Sequence, residues 1–152
     1  SCDKYFELAE ESVEIFLNNV DIGDFKLYFS SNSKIINKDK VTNISTELFD
    51  TWSSELKITL EKIPEDNIFI ILEDFFITSK ISKNKIQEIF KLFNEDNMTH
   101  LKFWNIPKAD ILKNNYYSEY VKGAPYRVTV NGIWKKKRIT RFVISTRKCM
   151  GV

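Results

Sequence analysis

The stretch Asn67-Ile68-Phe69-Ile70-Ile71-Leu72-Glu73-Asp74 decides the reading of this chain, because five large apolar residues in succession end in two carboxylates. A strand with one wet face alternates apolar and polar residues, whereas a parallel strand covered by helices on both faces is apolar throughout. Residues 68–72 follow the second pattern. They are expected to form a buried strand of a mainly parallel sheet. Glu73 and Asp74 then stand beyond its carboxyl end, where open α/β sheets keep their ligand crevice.

Working outward, Asp50 precedes Trp52, Leu56, Leu60 and Ile63, a helical stripe with a cap before it and Pro64 behind it. Further toward the amino end, Tyr5, Ala9, Val13, Phe16 and Val20 recur at helical spacing between acids. Phe25 to Phe29 read as a short strand, Ser30 to Lys40 as a loop, and Val41 to Ile44 as a minor strand. On the carboxyl side, Ser82 opens a capped stripe through Ile86, Ile89, Phe90 and Phe93, and Thr99 to Trp104 alternate like a strand. Residues 105–124 have no clean period and are expected to form an irregular excursion. Tyr126 to Val130 read as a strand, and Ile133 to Ile144 as a basic helix carrying Ile139, Phe142 and Val143.

The predicted order is therefore α, β, α, β, α, β, β, α. It opens on a helix, whereas nucleotide-binding α/β domains open on a strand whose following turn grips the ligand. Ser1-Cys2-Asp3-Lys4-Tyr5 reads as the remnant of such a turn, with the amino end trimmed.

With 152 residues, 43% hydrophobic and 14% aromatic, the chain has the size and apolar content of one ordinary domain spanning 1–152. A formal charge of +2 is too slight to imply a polyanion partner. Cys2 and Cys149 lie near opposite ends without metal-ligand spacing, so a reducing compartment is expected. No apolar run approaches the roughly 20 residues that cross a bilayer, and the start lacks the layout of a signal peptide. These features point to a soluble, cytoplasmic protein.

Three segments resemble bacterial GT-A-type glycosyltransferases of surface-polysaccharide synthesis. Ser1-Cys2-Asp3-Lys4-Tyr5 looks like the sugar-nucleotide loop after the family's first strand, a strand absent here. The block from Trp52-Ser53-Ser54-Glu55-Leu56 to Ile70-Ile71-Leu72-Glu73-Asp74-Phe75-Phe76-Ile77 is similar to the family's Trp-led helix, apolar strand, acidic pair and aromatic pair. Tyr126-Arg127 through Gly132-Ile133-Trp134-Lys135-Lys136 looks like the acceptor-side strand and the Trp that opens the next helix.

The resemblance implies a single GT-A-like (Rossmann-like) α/β domain, its mainly parallel sheet flanked by helices and incomplete at both ends. It implies a nucleotide diphosphate sugar as donor and a glycan or lipid-linked acceptor, with peripheral association at the inner face of the membrane. Glu73-Asp74 takes the place of the motif that holds a divalent cation, Mn²⁺ or Mg²⁺, with Asp74 as the metal ligand and Asp3 near the nucleotide. Hard oxygen ligands suit a cation that bridges two phosphates. Two departures stand out: Phe75 occupies the third position of the acidic motif, and no Asp or Glu follows Gly132 to serve as a base. A truncated or degenerate, inactive transferase remnant would explain the abrupt start and the acid-free tail; the alternative is a nucleic-acid- or anion-binding protein using the basic carboxyl segment.

Each candidate also has a plainer role. Arg127 in its strand can grip a phosphate or form a structural ion pair. Lys135-Lys136-Lys137-Arg138, with Arg141, Arg147 and Lys148, could meet a diphosphate, nucleic acid or membrane, but such a run is more often a solvated helix face. His100, the single histidine, has no nucleophile setting near it and reads as structural. Trp104, Trp134, Tyr116 and Tyr117 are expected in the core rather than against a ligand.

Overall fold

The computed structural model describes residues 3–46, 51–103, 108–113, 117–120 and 130–146, with the side chains of 142–146 outside the description. Asp3–Tyr5 form a single 3₁₀ turn that runs into α1 (Phe6–Asn19). There follow β1 (Leu27–Ser31), β2 (Val41–Ser45), α2 (Trp52–Lys62), β3 (Asn67–Ile70), α3 (Lys83–Glu95) and β4 (His100–Leu101). A small hairpin of β5 (Ile111–Leu112) and β6 (Ser118–Glu119) comes next, then β7 (Gly132–Lys135) and α4 (Lys136–Thr146). The chain is mixed α/β, and no described helix is long and apolar enough to cross a membrane.

The helices begin where capping chemistry allows. Thr51 accepts from the Ser54 N–H at 3.3 Å to start α2, and Ser82 accepts from the Lys85 N–H at 3.3 Å to start α3. Asp50, the expected cap of α2, lies outside the described residues. At the other end of α2, Lys136 donates its ammonium to the Ile63 carbonyl at 2.7 Å. A cation is favourable on the carbonyl-rich end of a helix.

Two separate ladders make the main sheet layer. β1 and β2 pair in parallel, Leu27 opposite Val41 through Ser31 opposite Ser45. The second ladder has the order β3-β7-β4 and is antiparallel throughout, with Ile68 opposite Trp134 and His100 opposite Trp134 from the other side. The expectation of a mainly parallel sheet is corrected on this point. An unbroken apolar run suggests burial of both faces, but in β3 only Ile68 is buried, while Phe69 on the opposite face is 37% exposed, as befits an antiparallel strand with one covered face. Residues 71 and 72 leave the ladder, because Leu72 gives its N–H to the Asn131 side chain at 2.7 Å.

Ile133–Lys135 belong to β7 and not to the expected basic helix, and Trp134 sits within a strand instead of opening a helix. Gly132 makes this possible. Its φ is +145°, and a Cβ there would stand 2.5 Å from the Leu101 carbonyl oxygen. The predicted strand Tyr126–Val130 lies outside the described residues except for Val130.

One core cluster joins Ile44, Leu60, Ile63, Ile68, Trp134 and Ile139, with Tyr28, Leu56 and Ile70 packed against it. A second joins Ala9, Phe29 and Ile36, with Phe6, Val13 and Val41. Tyr28 and Phe29 are successive on β1 and therefore face opposite ways. Helices α2 and α4 cover one face of the layer, and α1 covers the other face of β1–β2.

Replacing Ile139, 1% exposed, by alanine is expected to lower unfolding free energy by about 2–5 kcal/mol, whereas Thr51→Ala costs about 1 kcal/mol. Urea denaturation of the two variants checks both values and their order.

Candidate functional site

Three side-chain bonds set the direction of the strands. From the carboxyl end of β1 backwards, Asn32 donates to Glu55 at 2.9 Å, Ser30 meets Thr59 at 2.7 Å, and Tyr28 donates to Glu65 at 3.0 Å. Helix α2 thus runs antiparallel to β1, and Glu65, two residues before β3, lies beside the start of β1. The two strands therefore start near one another.

The predicted acids flank the loops that follow the two strands. Asp3 accepts from the backbone N–H groups of Ser33 at 3.1 Å and Lys34 at 3.3 Å, and from the Ser33 hydroxyl. These bonds, led by the Ser33 hydroxyl, hold its carboxyl below the usual range. Ser33 follows β1 by two residues. Glu73 and Asp74 form the turn after β3, closed by the Phe75 N–H on the Leu72 carbonyl at 3.0 Å. Glu73 is half-buried and lines a cavity; Asp74 is exposed. No hydrogen bond joins Asp3 to this pair, so the structure describes two separate carboxylate positions and does not bring them together. Arg127 lies outside the described residues.

Among the described residues no group of three metal-ligating side chains occurs. That does not test the expected cation, since Mg²⁺ is commonly held by one or two carboxylates together with substrate phosphates. Glu73 and Asp74 supply hard oxygens of that kind.

A cavity of about 590 Å³ opens between β1 and β3. Its wall is mainly apolar, with Phe16, Leu56, Leu60, Ile86 and Phe90 reaching in from three helices. Phe75 and Phe76, 37% and 39% exposed, also belong to this wall and follow directly on Asp74.

The basic segment is partly committed to the fold. Lys135 donates to the Asn97 side chain and Lys136 to the end of α2, which leaves Lys137, Arg138 and Arg141 exposed. Arg147 and Lys148 lie outside the described residues.

His100 stacks on Trp134 with ring centroids 3.9 Å apart, and its buried Nε2 has no hydrogen-bond partner. Burial, with the Lys102 charge adding, lowers its pKa to about 4. Asn131, which fixes the end of β3 through Leu72, was not singled out by sequence pattern. Its only signal is the turn dipeptide Asn131-Gly132.

No protein-family model matches the chain, and no curated protein or solved structure matches it. The carboxylates at the strand ends are the features on which a function must be argued.

The fold prefers a neutral His100, whereas the unfolded chain protonates its histidine near 6.5. Stability is therefore complete above pH 6.5 and falls as pH drops from 6.5 toward about 4. The expected loss is about 2 kcal/mol, discounted because the ring keeps some contact with solvent. His100→Phe, which retains the stack on Trp134, flattens that segment of a denaturation-versus-pH profile.

Proposed function

We propose that this chain is a GT-A-like, sugar-nucleotide-binding protein of the surface-polysaccharide transferase type, which passes a hexose to a glycan or lipid-linked acceptor. One observation carries the reading: carboxylates stand directly after β3 and against the loop that follows β1. Asp3 stands beside the loop after β1, and Glu73-Asp74 form the turn after β3. Ligands of open α/β layers bind at the carboxyl ends of their strands.

In this reading Asp3 is fixed by Ser33 and Lys34 and orients the nucleoside through its remaining acceptor capacity. Asp74, exposed at the tip of the turn, would hold a divalent cation with Glu73 behind it. When bound, the cation neutralises the diphosphate as the sugar departs. Asn131 keeps the turn in register by holding the Leu72 N–H. Phe75 and Phe76 offer apolar ground to a lipid-linked acceptor.

A ligand that binds only the folded state raises its melting temperature. A UDP- or GDP-sugar at about 100-fold its Kd, with Mn²⁺, is expected to raise Tm by on the order of 5–10 °C. Asp74→Ala abolishes the metal-dependent part, and Asp3→Asn weakens the response without metal. A panel of nucleotide sugars with a short polynucleotide as control measures this. Absence of any nucleotide-dependent shift, or an equal shift in Asp74→Ala, overturns the proposal.

A further inference from the structure

We infer that the cavity between β1 and β3 is a slot for one additional β-strand, an extended apolar segment joined directly ahead of Ser1 and running parallel to β1. Four observations lead there.

First, the cavity touches every residue from Phe25 to Ser30 and every residue from Asn67 to Glu73. Successive strand residues point to opposite faces, so a space that meets all of them lies along strand edges and not above a sheet face. Second, among the described residues these are the outer strands of their ladders: β1 pairs with β2 alone, and β3 ends the order β3-β7-β4. Third, the two ladders belong to one layer. Tyr28 of β1 and Ile68 and Ile70 of β3 pack into the same cluster under α2 and α4.

Fourth, the way out of the slot is already built. Asp3 is tied to Ser33 at the carboxyl end of β1, and α1 returns from there toward the start of β1. A strand parallel to β1 ends beside Asp3 and continues into α1 without a long loop, a single strand–helix–strand crossover.

The slot also specifies its occupant. β1 has 5 residues and β3 has 4, so a strand of similar length spans the opening. Apolar side chains of α1, α2 and α3 line the opening, which calls for a Val- and Ile-rich run. The completed order is β2-β1-inserted strand-β3-β7-β4. An acyl chain would satisfy the apolar wall but leave the edge amides of both neighbours without ladder bonds.

The test joins a Val-Ile-Val-Ile-Val segment ahead of Ser1 and compares it with the same segment carrying a central proline and with the chain from Ser1. Helix content is monitored by far-UV circular dichroism. The apolar extension is expected to slow amide exchange across Leu27–Phe29 and Asn67–Ile70 by about tenfold or more. It should also block uptake of dodecanoate, and the proline version should do neither. Unchanged exchange in the apolar extension, equal protection by the proline version, or dodecanoate uptake undiminished by the extension overturns the inference.

Discussion

The main layer of this protein is held in one piece by side chains and not by a continuous hydrogen-bonded sheet. The parallel β1–β2 ladder and the antiparallel β3-β7-β4 ladder share no strand pairing, yet Tyr28, Ile44, Ile68 and Trp134 from both enter one cluster with Leu60 and Ile139. Helix α2 is the clasp. It supplies Leu60 and Ile63 to that cluster and fixes its own direction against β1 through Glu55 and Thr59. Everything at the carboxyl end of the strands inherits its placement from this clasp.

The same arrangement leaves the space between β1 and β3. Protein interiors tolerate few voids larger than a water molecule. At roughly 24 cal/mol per Å³, a sealed void of 590 Å³ would cost about 14 kcal/mol, close to the whole stability of an ordinary domain at about 5–15 kcal/mol. A gap of that size is therefore a site with an occupant or an open cleft, and its shape along two strand edges favours backbone over a compact ligand.

Much of the fold was legible in the chain. α1, α2 and α3 follow from helical spacing with Ser82 as a readable cap, and β1 and β2 from short β-rich runs between turns. Strand pairing was not legible. The run Ile68–Leu72 has the composition of a strand buried on both faces, but only Ile68 is buried and Phe69 is exposed, and nothing in that composition states the direction of its neighbour. β7 was hidden for a related reason. Ile133 and Trp134 face opposite sides of a central strand and are both buried, so they show no alternation, and the lysines that follow blend into the helix. Of the candidate residues, Glu73 and Asp74 form the turn after β3, and Asp3 stands ahead of α1 against the loop after β1. Ser33 and Asn131, which hold them, carry no periodicity to announce them.

His100 and the acidic turn illustrate opposite uses of burial. The histidine is held neutral against Trp134, an arrangement that suits packing and withdraws it from proton transfer near neutral pH. Asp74 is exposed, so its charge is already solvated and carries no burial penalty. A carboxylate in water does little for reactivity by itself, but it can share a cation with incoming phosphates without first being stripped of a protein partner. What the fold supplies is fixed placement: Asn131 holds the Leu72 N–H ahead of the turn, and Ser33 and Lys34 hold Asp3.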